Sequence, residues 1–171
     1  MNILSISCYY HDAAAVLIQD GRLTAASEEE RFSRLKHDAG FPKNAINFCL
    51  NQAGIKGPDL DYVVFYEKPF LKFERVLKTA FGCYPQAWPV FRDGAHVWLK
   101  EKLWIKASIQ KHLNCKTDRI LFAEHHMSHA ASTFLASPFE EAAILTLDGV
   151  GEWTTAAMGT GSGNAITLTE E

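Results

Sequence analysis

"NILSISCYYHDAAAVLIQDGRLTAASEEE" (Asn2–Glu30) is the stretch on which the reading of the fold turns. "NILSIS" is rich in strand-forming residues and apolar at alternate positions. A second apolar run follows, then Asp20-Gly21, then a third run. Asp-Gly supplies the positive φ angles that a tight turn needs, so the last two runs form a hairpin. The chain therefore opens with up to three antiparallel strands, over about 2–7, 12–19 and 22–28.

Moving outward, "PKNAINFCLNQAG" (Pro42–Gly54) reads as a helix. Pro42 suits a first turn, Ala45, Ile46, Phe48, Cys49 and Leu50 make an apolar stripe, and Gly54 ends it. "DYVVFYE" (Asp61–Glu67) is a strand, and the aromatic-rich stretch from Pro69 to Phe91 mixes helix and loop. "GAHVWLKEKLWIKASIQKHL" (Gly94–Leu113) has helical spacing and predicts one long helix. "RILFAE" (Arg119–Glu124) is a short strand, and "HMSHAASTFLAS" is a helix ending before Pro138. "EAAILTLDGVGEWTTAAMGTG" gives two strands around a glycine-rich turn, and "NAITLTEE" a third.

The order βββαβαβα followed by βββ predicts an α/β fold. It matches the ribonuclease-H-like lobe that actin-like ATPases and sugar kinases use twice, a mixed sheet with helices on both faces. The first lobe is expected over residues 1–140 and the first strands of a second, similar lobe over 141–171. The second lobe lacks its helices and the chain stops straight after a strand, so a fragment of a longer protein is expected.

Composition bounds the function classes. With 171 residues, 47% hydrophobic and 22% charged, the chain can build a real core. A net charge of -3 gives no electrostatic footing for nucleic acid or an anionic membrane. The run "EEER" (Glu28–Arg31) reads as a solvated face. Cys8, Cys49, Cys83 and Cys115 make no CxxC pair, which excludes a zinc ribbon and argues for reduced thiols in a cytoplasmic protein. The N-terminus lacks a basic region and meets His11 and Asp12 too early for a signal peptide. No apolar run reaches the length of a membrane span.

Chemistry concentrates in "EHHMSHAAS" (Glu124–Ser132), which holds three of the chain's seven histidines. His125 and His129 are four apart, so a helix puts both rings on one face, close enough to share a metal ion. His126 lies about a hundred degrees round the helix and points elsewhere. A helix N-terminus with satisfied structural histidines explains the spacing equally well. Asp148 ends the apolar strand "AILTLD", where an unpaired carboxylate is expensive to bury. Two imidazoles and one carboxylate suit non-haem iron(II), zinc or manganese with open positions. The bland alternative is an Asp that caps its own turn.

Weaker signals surround this cluster. In "DGVGE", Gly149 and Gly151 can bring backbone amides to a phosphate, although many hairpin turns look alike. In "SCYYHDAAAV", His11 can serve as a general base, or His11 and Asp12 can be ordinary loop residues. In "EEERFSRLKHD" (Glu28–Asp38), Arg31, Arg34, Lys36 and His37 can bind phosphate or carboxylate, although a charged surface loop is the simpler reading.

Three long motifs, in order, carry a resemblance: "SCYYHDAAAVLIQDG", "ASEEERFSRLKHDAGFPKNAINFCL" and "EHHMSHAASTFLASPFEEAAILTLDGVGEWTT". Together they resemble the N-terminal region of the NodU/CmcH-type carbamoyltransferases, from about Asn2 to Gly159. The resemblance implies transfer of a carbamoyl group from carbamoyl phosphate to a hydroxyl of a sugar, antibiotic or nodulation-factor precursor. ATP is used to form a carbamoyl-adenylate, made in a C-terminal YrdC-type domain. It also implies a divalent metal, iron(II), held by His125, His129, Asp148 and a further aspartate from later in the family's chain. His11 matches the base that activates the acceptor hydroxyl. Asp12, Lys36, Gly149 and Gly151 are grouped as nucleotide- or phosphate-binding, with Lys36 in the basic loop. The implied partners are a small-molecule acceptor with a hydroxyl and the missing C-terminal adenylate-forming domain, with no nucleic acid and no membrane.

Two other classes stay open at this point. One is an actin-like-fold phosphotransferase, sugar- or acetate-kinase-like, which needs a catalytic carboxylate but not the histidine pair. The other is a non-catalytic metal-binding module. These 171 residues alone are expected to be inactive. Their final strands are expected to leave an apolar face uncovered, which favours a homodimer or strand exchange.

Overall fold

A computed structural model describes residues 1–170; Glu171, the last residue of the expected second lobe, lies outside them. The strands are β1 (Asn2–Ser7), β2 (Ala14–Gln19), β3 (Arg22–Glu28), β4 (Tyr62–Phe65), β5 (Ile120–Phe122), β6 (Glu141–Leu147), β7 (Ala156–Ser162) and β8 (Ala165–Glu170). The helices are α1 (Glu30–Ser33), α2 (Lys43–Ala53), α3 (Pro69–Gly82), α4 (Trp88–Lys100), α5 (Ile105–Leu113) and α6 (His125–Phe134). The chain divides into two units, Met1–Tyr66 with His96–Phe122, and Glu67–Ala95 with Ala123 onward.

The first unit holds a five-stranded sheet in the order β3-β2-β1-β4-β5. β1–β2 and β2–β3 pair antiparallel, while β1–β4 and β4–β5 pair parallel. This is the ribonuclease-H-like order. The hairpin turns at Asp20 (φ 49) and Gly21 (φ 79), the left-handed pair that matches strand twist. Leu4 and Ile6 stand in register with Leu17 and Ala15 on one side and with Val63 and Phe65 on the other. All six are buried in one core with Ile46 and Cys49 of α2 and Ile105 and Ile109 of α5.

Three local expectations are corrected. β2 begins at Ala14 rather than at 12, because the Ala13 N–H leaves the ladder and donates to Asp38 O at 2.7 Å. Glu29 is buried, not part of a solvated face. Its carboxylate accepts from Ala45 N–H at 2.8 Å and from the Asn44 side chain at 2.7 Å, satisfying the start of α2, which Pro42 cannot cap. The single helix expected over Gly94–Leu113 is two, α4 and α5, separated by a 3-10 turn at Lys102–Trp104. The indole N–H of Trp104 donates to Leu99 O at 2.6 Å, taking the carbonyl that a continuing helix would use. Glu101 bends away at φ -124, ψ -64.

The second unit carries the antiparallel sheet β6-β7-β8 with α6 against one face. Contact is very close: a Cβ placed on Gly161 would sit 2.6 Å from the Phe134 ring. Phe134 therefore rests on β7 beside Ala142 near the start of β6, and the N-terminus of α6 lies at the other end, by Thr146 and Asp148. The face away from α6 is apolar and open, with Leu145 61% and Leu147 74% exposed. No helix among the described residues is long and apolar enough to cross a membrane.

Candidate metal centre

Helical spacing stacks His125 and His129 on one face of α6, one turn apart. The end of β6 then delivers Asp148 to the same point. His125 Nε2 lies 3.2 Å from His129 Nε2 and 2.7 Å from Asp148 Oδ2. One donor atom from each of the three residues falls within 4.8 Å of the others. His125 is buried, Asp148 half-buried and His129 exposed, so the group opens on one side.

The donor set fits a cation. Two ligand atoms bound to one ion at about 2.1 Å, and subtending about a right angle, stand about 3 Å apart. The separations of 3.2 Å and 2.7 Å bracket that value. Two imidazoles and a carboxylate are an intermediate donor set suited to iron(II), zinc or manganese.

Asp148 is prepared as an anion. Burial works to raise its pKa, but the Gly151 N–H at 2.8 Å, the His125 ring and the Gly149 N–H at 2.7 Å outweigh burial and hold it at about 2. The amides of Gly149 and Gly151 thus face the Asp148 carboxylate. Gly151 itself sits at φ +54, and a Cβ there would lie 1.8 Å from Thr154 O. The pKa of His125 is raised, first by Glu67 and then, against the cost of burial, by Asp148. That of His129 is lowered, first by burial and next by the neighbouring His125.

His126 takes a structural position. Its Nε2 lies 2.9 Å from Thr154 O, so Nε2 carries the hydrogen, and Nδ1 accepts from the Thr146 hydroxyl at 2.8 Å. It ties α6 to β6 and to the far side of the turn. Glu152, buried, fixes the same turn from the other direction, accepting from the main-chain N–H groups of Lys68 and His125. Arg75 of α3 also donates to Val150 O. A cleft of about 150 Å³ opens beside these groups, lined by Leu71, His125, His126, Glu152 and Trp153.

Sequence reading passed over Glu67, Lys72 and Glu152. Glu67 and Lys72 form a buried ion pair at 2.6 Å, and Glu67 Oε2 faces His125 Nδ1 at 3.6 Å. The one available signal was a charged residue closing an apolar strand, the feature that drew notice to Asp148.

The remaining candidates lie in the first unit. His11 is exposed on the loop between β1 and β2, its ring edge-on to Tyr10 at 4.2 Å. Asp12 Oδ1 lies 2.8 Å from His37 Nδ1, and this bond holds its pKa low. His37 N–H donates to Glu30 at 3.0 Å. Lys36 is exposed on the loop after α1.

The family model described as "Carbamoyltransferase N-terminus" matches residues 2–171. "Uncharacterized protein sll1178" of Synechocystis sp. is 51% identical over 173 residues, covering 97% of this chain and 28% of that protein. "Nodulation protein NolNO" of Sinorhizobium fredii is 34% identical over 163 residues, covering 92% of this chain and 22% of that protein. The chain thus spans less than a third of the length of these relatives. Among solved structures, YeaZ from Pseudomonas aeruginosa superposes with a TM-score of 0.52 at 11% identity, over 99% of this chain and 64% of that one. At that identity the likeness concerns the fold, the ribonuclease-H-like, actin-like class.

Proposed function

The chain belongs to the carbamoyltransferase N-terminus family, and from that premise we propose that the whole protein moves a carbamoyl group from carbamoyl phosphate, through a carbamoyl-adenylate made with ATP, to a hydroxyl of a sugar or natural-product acceptor. The family match over residues 2–171 carries this reading. The convergence of two imidazoles and a carboxylate supports it, because an adenylate presents a phosphate anion.

His125, His129 and Asp148 would hold the metal, iron(II) by the resemblance. When bound, it supplies positive charge that neutralises phosphate oxygens and polarises the acyl group. The protein's part is to keep three donors converged. The Gly149 and Gly151 amides fix Asp148 as an anion, and α6 fixes the spacing of the two rings. Transfer forms a bond between the acceptor oxygen and the carbamoyl carbon and breaks the bond from that carbon to the adenylate phosphate oxygen. The hydroxyl proton goes to a ring nitrogen of His11, exposed on its loop. Lys36 and Asp12 belong to the nucleotide-facing loops. The acceptor and the adenylate-forming domain are partners of the full-length protein.

Full-length protein supplied with ATP and radiolabelled carbamoyl phosphate should pass label to a hydroxylated acceptor, and His11→Ala should abolish the transfer. Transfer of the ATP γ-phosphate to the acceptor instead, with no carbamoyl product, would replace this reading with a phosphotransferase.

A further inference from the structure

A buried ion pair needs a reason. Glu67 and Lys72 side chains are 5% and 4% exposed, and Oε2 and Nζ stand 2.6 Å apart. Desolvating both charges cancels most of their attraction, so an apolar pair of similar size would serve the core as well. The pair is not spent on a helix cap either. Lys72 lies inside α3, and Glu67 precedes that helix by two residues.

What Glu67 does face is His125. The same Oε2 that meets Lys72 lies 3.6 Å from His125 Nδ1, on the far edge of the ring from Asp148. His125 is thus bracketed, with Nε2 toward the donor cluster and Nδ1 toward an anion that Lys72 holds in place. An imidazole can give its Nε2 lone pair to a metal only if its hydrogen sits on Nδ1. A carboxylate facing that edge selects this tautomer and stops the ring from turning. Burial keeps water from competing for the same hydrogen.

We propose that Glu67, anchored by Lys72, is a positioning residue that holds His125 as the Nδ1–H tautomer with Nε2 presented to the metal. This rests on the metal-site reading above, and its test separates the two. His129, by contrast, is exposed, and its Nε2 faces His125 Nε2 at 3.2 Å. The two ligands then differ in kind, one fixed from behind and one at the exposed edge.

Co(II) titration of the intact protein, followed by its visible absorption, reads affinity and coordination together. Glu67→Gln/Lys72→Met removes both charges and so leaves neither buried alone. This double variant should melt within a few degrees of the metal-free parent, yet bind Co(II) about 10–100-fold more weakly, with a changed absorption band. A folded double variant with parental affinity and spectrum overturns the inference while leaving the metal site intact. Absence of saturable Co(II) binding by the parent sinks both. Should the variant fail to fold, long-range proton–nitrogen NMR of the zinc-loaded, histidine-labelled parent decides. His125 protonated at Nδ1 supports the inference, and His125 protonated at Nε2 overturns it.

Discussion

His125 and His129 hold their Nε2 atoms 3.2 Å apart, a distance at which one ring can donate its N–H to the other or both lone pairs can meet one cation. Their ring centroids lie 4.7 Å apart and nearly perpendicular, at 76°. Only one hydrogen fits between the two nitrogens, so both rings cannot be charged together at no cost. On the proposed metal centre, the same spacing lets both rings and Asp148 share one ion.

On the proposed reading, protons compete with the metal for His125. Glu67, and against burial Asp148, raise its pKa, so the proton leaves only above the usual value of about 6.5. Metal affinity should therefore rise with pH through that raised value and release a proton on binding. In the metal-free protein the sign for stability is opposite. The stabilising charge on His125 is fully present below about 6.5 and is lost as pH rises through the folded-state value. Isothermal titration at several pH values, in buffers of different ionisation enthalpy, measures the proton count. Binding independent of pH between 6 and 8 would contradict the prediction.

His126 should matter to stability and not to ligation. His126→Ala strands the Thr154 carbonyl and leaves the Thr146 hydroxyl with Ala157 O at 3.3 Å, at a cost of about 1–3 kcal/mol. The melting temperature should fall while Co(II) affinity stays within severalfold. Loss of metal with an unchanged melting temperature would make His126 a ligand.

Gly151→Ala should damage both. Its positive φ costs an alanine about 1 kcal/mol or more, and the new Cβ meets the Thr154 carbonyl, so the turn must open. Asp148 then loses the Gly151 hydrogen bond that lowers its pKa. Thermal melts and Co(II) titration should both worsen. Gly149→Ala is the control, since a Cβ there meets nothing within 4 Å.

These particulars show how much of the molecule was legible in its sequence. The opening strands were, because the turn chemistry of Asp20-Gly21 is local. The spacing of His125 and His129 was, because helical period alone sets it. The break between α4 and α5 was not, since apolar periodicity runs on through it and only the Trp104 indole on Leu99 O ends the helix. Glu29 and Glu67 were not, because each is buried against a partner brought in by the fold. Ala45 lies 16 residues from the first, and His125, 58 positions beyond the second, faces it at 3.6 Å. His126 was ambiguous until Thr146 and Thr154 appeared on its two nitrogens.

In the first unit, His112 of α5 has its pKa lowered, first by burial and next by Lys43, and its ring packs edge-on to Phe41 at 5.5 Å. A lowered histidine value means stability is lost as pH falls through about 6.5 toward the folded-state value. His112→Gln should flatten that loss in urea melts taken from pH 7.5 to 5. An unchanged slope would show that His112 does not set it.

The most direct measurement is metal content. Full-length protein purified without chelators and analysed by elemental mass spectrometry should carry close to one transition-metal ion per chain. His129→Ala and Asp148→Ala should each lower that content to near zero while remaining folded. A parent protein with no bound transition metal, and no saturable Co(II) binding on reconstitution, would contradict the His125–His129–Asp148 centre outright.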